Sequence, residues 1–155
     1  MERVKIAYLT SVDPTEVRRS SGVYYYQSKA LSEYIGDIEY VYLSEVFIVK
    51  VIIYSLKFIF LPFSKKYKVS HSVLLSKIYG LFFSKMLKGK SYDYIFADKA
   101  SSEIAFLKTN IPIIYSTDAY FASMVDYYPS YSNLNRLSVY EGNLVEKKAL
   151  LNSKI

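Results

Sequence analysis

Runs of apolar residues along the chain switch between a strand-like and a helix-like period. VKIAYLT (residues 4–10) is a compact β-rich run that breaks into the polar, proline-containing stretch SVDPTEVRRSSG. VYYYQSKALSEYI then places apolar residues at 23, 26, 30, 31 and 34, the spacing of one helix face. IEYVYL (38–43), SYDYIFA (91–97) and IPIIYS (111–116) predict three further strands, and SSEIAFLK a short helix between the last two. Longer helical stretches over roughly 46–61 and 71–88 separate the second strand from the third, and a last helix follows Asn133 as far as about Leu151. Strands that alternate with helices predict right-handed βαβ units, hence an α/β fold with a parallel sheet and helices on both faces.

At 155 residues, 52% of them hydrophobic, the chain is sized for a single core and a single domain spanning 1–155. No internal repeat or low-complexity linker interrupts it. Cysteine is absent and His71 is the one histidine. Neither a disulfide framework nor a Cys- or His-rich metal site can be built from that inventory. A reducing, cytoplasmic setting is expected, since MERVKIAYLTSVD also lacks the apolar run of an export signal.

In an open parallel sheet, ligands enter the crevice beyond the carboxyl ends of the strands. Three such ends are polar here: Thr10 to Gly22, Asp98 to Ser102, and Ser116 to Tyr120. Asp118 can accept a hydrogen bond from a ligand hydroxyl or take its proton, and it can equally cap a following helix. Asp98 is a second carboxylate of the same kind. Ser20 and Ser21, beside Arg18 and Arg19, share that pair of roles, helix cap or ligand contact. Tyr120, Phe121, Asp126, Tyr127, Tyr128 and Tyr131 crowd the loop after the fourth strand. Tyrosine offers a ligand an aromatic face and a hydroxyl, but with 18 tyrosines in the chain packing is the ordinary role of any one of them.

The collinear series KIAYLTSVDP, RRSSGVYYYQSKAL, YDYIFADKASSEIAFLKTNIPIIYSTDAYFA and EKKALLNS resembles the amino-terminal half of family 4 (group 1) glycosyltransferases of the GT-B fold, and it covers nearly the whole chain. The resemblance implies a Rossmann-like domain that holds the acceptor of a retaining, metal-independent enzyme with no permanently bound cofactor. It also implies a nucleotide-sugar donor, gripped by a carboxyl-terminal domain whose paired-glutamate motif is absent from these residues. Turnover is expected to need that missing half. On the family's pattern Ser21 and Gly22 stand in the turn that approaches the donor or the reacting sugar, where many members carry two glycines. Thr117 stands where many members place a histidine, which leaves Asp118 as the catalytic candidate. Ser21, Gly22, Thr117 and Tyr120 are the substrate-binding candidates.

One segment carries the basic charge. Between Val46 and Tyr92 there are nine lysines and no Asp or Glu, while the rest of the chain has more acids than bases. VFIVKVIIYSLKFIFLPF (46–63) is apolar almost all round, with Lys50 and Lys57 on one narrow line, and KKYK (65–68) follows. Two lysines, each costing about 2.5–3.5 kcal/mol at the bilayer centre, together with Pro62, argue against a spanning helix. An interfacial helix fits, its apolar face in the headgroup boundary and Lys50, Lys57, Lys65, Lys66 and Lys68 toward anionic lipid. The alternative is a helix packed on the sheet whose lysines reach out to water. Aliphatic residues interleave the lysines and no recognition motif accompanies them, so nucleic acid is not an expected partner.

Two functions are therefore expected. One is the acceptor-binding half of a glycosyltransferase that acts on a glycan or lipid-linked acceptor, peripheral at the inner face of a membrane. The other is a non-catalytic α/β module that docks on a membrane or a partner subunit.

Overall fold

The computed structural model describes residues 3–18, 22–43 and 47–153. Four strands, β1 (Val4–Thr10), β2 (Gly36–Tyr42), β3 (Tyr94–Asp98) and β4 (Ile113–Ser116), form one sheet in the order β2-β1-β3-β4, and every pairing is parallel. Among the described residues the helices are α1 (Val23–Tyr34), α2 (Phe47–Phe60), α3 (Val73–Leu87), α4 (Ser101–Ile104), α5 (Phe121–Met124) and α6 (Arg136–Asn152). The architecture is α/β and Rossmann-like.

The register shows which residues share a face, because side chains alternate along a strand. Tyr8 lies opposite Tyr40 and Phe96, and Asp98 opposite Ser116, so Tyr8, Thr10, Phe96 and Asp98 look to the same side. Ala7, Leu9, Val41, Ile95, Ala97 and Ile113 look to the other. There they join one buried cluster with Val49 of α2, Leu75, Tyr79, Phe83 and Leu87 of α3, Ile104 of α4, and Val145 and Ala149 of α6. Helix α1 covers the first face. The Tyr8 hydroxyl donates to Gln27 Oε1 at 2.7 Å, and the Ser28 and Tyr40 hydroxyls meet at 3.0 Å. With helices on both faces β1 is buried on both sides, which is why its sequence runs apolar without alternating.

Local chemistry sets several helix boundaries. Gly22 opens α1 at φ 80°, a left-handed conformation that favours glycine. Ser72 caps α3 by accepting from the Leu75 N–H at 3.2 Å, and Asn135 caps α6 by accepting from the Ser138 N–H at 2.7 Å. That cap starts α6 at Arg136, two residues later than a helix following directly on Asn133 would begin.

The third strand also differs from the expected 91–97. Asp93 exchanges two hydrogen bonds with the backbone of Lys5, N–H to Lys5 O at 2.9 Å and carboxylate from Lys5 N–H at 2.8 Å, which holds the approach to β3 outside the ladder. At the other end the ladder continues one residue further, so Asp98 is the last residue of β3.

A long-range connection has no counterpart in the local pattern. Lys66 and Leu134 form an isolated parallel bridge, with Lys66 N–H to Asn133 O and Asn135 N–H to Lys66 O both at 2.9 Å. It ties the lysine-rich segment after α2 to the entrance of α6.

Candidate functional site

The direction of strand addition reverses at the β1/β3 boundary. From β1 the chain passes through α1 to β2 on one side, then crosses back through α2 and α3 to β3 on the other. At such a switch point the loops leaving the two central strands part and open a crevice. A cleft of about 550 Å³ lies there. Thr10 and Ser11 enter it from β1, Asp98 and its following turn from β3, Tyr24 from α1 and Lys57 from α2. Lys68, His71 and Tyr131 close the far wall, brought together by the Lys66–Leu134 bridge.

Asp98 is the central group. It is 4% exposed, and among the described residues its Oδ2 has no hydrogen-bond partner. A buried acceptor left unpaired costs about 1–3 kcal/mol, and more when charged, a cost that a ligand hydroxyl donating into it recovers. The next residue, Lys99, sits at φ 51°, a left-handed conformation that a lysine adopts only where its surroundings enforce it. Its N–H donates to Ser116 O at 2.8 Å, which locks the turn across β3 and β4.

Two further titratable groups have been moved away from their charged forms. Burial raises the Glu103 carboxyl above its usual range, against a hydrogen bond from Ser11 that lowers it, so Glu103 is biased toward a protonated form that can donate as well as accept. Burial, with the adjacent charge of Lys68, lowers His71 to about 4, so its imidazole is neutral at physiological pH. The His71 ring lies 5.0 Å from that of Phe121 and 5.8 Å from that of Tyr131, and its Nδ1 is 3.0 Å from Ser70 Oγ.

Three lysines also line the cleft. Lys68 Nζ lies 3.8 Å from the centre of the Tyr131 ring and donates to Ser130 O at 3.3 Å. Lys57 Nζ lies 5.7 Å from the Tyr54 ring centre. Lys99 Nζ donates to Asp118 Oδ2 at 2.8 Å; this bond raises the lysine's pKa and holds the Asp118 carboxyl below the usual carboxylate range. A cleft lined by a carboxylate with an unpaired oxygen, by hydroxyls, tyrosine rings and three lysines suits a hydroxyl-rich ligand that also carries negative charge.

The residues singled out from the sequence are dispersed around this cleft. Lys57 and Lys68 line it, whereas Lys50, Lys65 and Lys66 are exposed outside it. Asp118 is largely exposed and reaches the cleft only through Lys99. It does not cap α5, whose cap position is Tyr120, with no side-chain cap bond. Thr117 turns its hydroxyl back onto the Ala119 backbone, and Tyr120 lines a separate apolar recess of about 400 Å³ against α6. Gly22 is buried at the start of α1; Ser21, with Ser20 and Arg19, falls outside the described residues.

Glu103, His71 and Tyr24 were not anticipated. Glu103 had a signal, a lone acid in the apolar stretch SSEIAFL. His71 had none, because a contact made more than sixty residues away in sequence brings it to the site.

Helix α2 packs on the core through one face and leaves another exposed. Val49 is buried, and Ile53 and Leu56 pack partly on the core, while Phe47, Val51, Tyr54, Phe58 and Leu61 face outward, Phe58 with 76% exposure. Among the described residues no helix is long and apolar enough to cross a membrane. No family model matches the chain, and no curated protein or solved structure matches it either.

Proposed function

We propose that this chain is the acceptor-binding half of a retaining glycosyltransferase, with the β1/β3 cleft as the acceptor seat. The observation that carries the reading is the buried, unpaired Asp98 Oδ2 at the topological switch point of a Rossmann-like sheet. An acceptor hydroxyl donating to that oxygen is held and polarised. In the transfer its oxygen bonds to the anomeric carbon of the donor sugar as the bond from that carbon to the nucleotide phosphate breaks, and the hydroxyl proton leaves with the phosphate. Asp118, through Lys99, fixes one positive group at the edge where that phosphate would lie. The nucleotide-sugar is held by a second domain beyond these residues, so this half binds acceptor and does not turn over alone.

The non-catalytic alternative, a module that docks on a membrane, has one observation in its favour, the outward apolar face of α2 flanked by lysines. Peripheral attachment at an anionic membrane is compatible with either function.

Saturation-transfer NMR of the 155-residue chain against a panel of mono- and disaccharides tests the proposal. At least one saccharide should bind, and Asp98→Asn should abolish its signal while the protein stays folded. A folded chain that binds no saccharide leaves the docking module as the better account.

A further inference from the structure

β2 is the outer strand on the side of the sheet away from β3, and all seven of its residues, Gly36–Tyr42, pair with β1 on one side only. Among the described residues no backbone group pairs with its outer side. Such an edge is a ready template for another strand, and proteins ordinarily blunt it with lysine, proline or a bulge. GDIEYVY has neither lysine nor proline, and its unbroken register has no bulge. The opposite edge, β4, is four residues long.

Helix α1 borders the β2 edge. Its Gln27 meets Tyr8 of β1 and its Ser28 meets Tyr40 of β2, so its axis runs over the gap between those strands. Tyr25, Lys29, Ser32 and Glu33 share one side of the helix and line a groove of about 480 Å³ against Tyr40. Lys29 and Glu33 are exposed, and neither is in an ion pair with another described residue.

We propose that this side of the chain is a homodimer interface, in which the β2 strands of two copies pair antiparallel about a two-fold axis perpendicular to the sheet. Geometry and charge both select a second copy. Paired strands lie about 4.8 Å apart, and α1 sits inward of β2 by about half that spacing, so the two α1 helices come to lie about 10 Å apart, the distance of packed helices. They run antiparallel, which sets Lys29 beside the partner's Glu33 and Glu33 beside the partner's Lys29. A two-fold interface must be self-complementary in this way, whereas an unrelated strand would match only the backbone edge. On the other face of the sheet Asp37 and Glu39 are already paired, with Arg3 Nε at 3.5 Å and Lys90 Nζ at 3.1 Å, so their charge is compensated where two such strands meet. Because the paired strands run in opposite directions, the two ligand clefts open at opposite ends of the dimer and neither is covered.

Sedimentation equilibrium of the 155-residue chain over a dilution series is the test. The mass should rise with concentration from that of one chain to that of two and stop there, since a two-fold interface closes on itself. Lys29→Glu sets like charges against each other twice and should raise the dimer Kd about tenfold, as should Glu33→Lys. The double variant Lys29→Glu/Glu33→Lys exchanges the charges and should restore the Kd, a recovery that a merely damaged fold cannot give. Amide exchange in β2 should also slow as concentration rises, while that in β4 stays unchanged.

A chain that remains monomeric at every concentration overturns the proposal. So does a dimer indifferent to both single charge reversals, one that the double variant fails to restore, or one broken instead by Phe58→Ser on the outward face of α2.

Discussion

Asp98 and Asp118 are both acids at the ends of adjacent strands, yet their surroundings give them different work. Asp98 is enclosed, with one oxygen unpaired, so replacing it removes a buried acceptor from the cleft lining. Asp118 is an exposed partner of Lys99, and exposed pairs contribute little to folding. Asp118→Ala should therefore change stability by less than about 0.5 kcal/mol in a urea titration, while, on the proposed glycosyltransferase reading, lowering turnover in an enzyme that also has a donor-binding domain. Equal losses of stability and turnover would make the residue merely structural.

His71 supplies an acid-sensitive contribution. Its pKa in the folded chain is about 4 against 6.5 in the unfolded chain, so the unfolded state takes up a proton first as pH falls. The stability it contributes is complete above about pH 6.5 and is lost progressively toward pH 4, on the order of 3 kcal/mol in all. Glu103 and Glu146, whose burial raises their pKa values, act in the opposite sense, because the folded state is then the better proton binder. Comparing Tm across pH between the wild type and His71→Phe isolates the histidine. The wild type should lose its advantage between pH 6.5 and 4, and parallel curves would contradict this.

At the scale of elements, the close approach of α3 to the chain leaving α4 depends on Gly80. A Cβ there would lie 2.5 Å from Phe106 O, and a backbone atom cannot swing aside as a flexible side chain can. Gly80→Ala should therefore destabilise the fold by about 1–3 kcal/mol through overpacking, despite alanine's better helix propensity. A gain in stability would show that the helices slide apart freely.

Elements were also what the sequence displayed best. β1 was legible to the residue because it is a buried run that breaks into a polar loop, and α2 and α3 because their apolar periods are long. The end of β3 was harder to place. Nothing in FADKASS says that Asp98 still pairs in the ladder, and only that pairing sets its side chain on the face shared with Thr10. The crevice could thus be located from strand ends, while the sequence pointed to Asp118 as its carboxylate and the cleft is lined by Asp98. His71 and Lys68 were beyond local reach, since the bridge from Lys66 to Leu134 is a contact between segments distant in sequence.

For the whole molecule, the separate features are arranged around one opening. The sheet reverses its winding at β1 and β3, α2 crosses the mouth with one face buried and one outward, and the lysine-rich segment is fastened to the entrance of α6. The account stands on the cleft between these parts being the ligand seat. Chemical-shift mapping tests that most directly: ¹⁵N spectra of the chain titrated with the saccharide that binds it. Perturbations should cluster at Thr10, Ser11, Asp98 to Glu103 and Tyr131, and vanish in Asp98→Asn. Perturbations confined to the recess at Tyr120, Leu150 and Leu151, or surviving unchanged in Asp98→Asn, would contradict it.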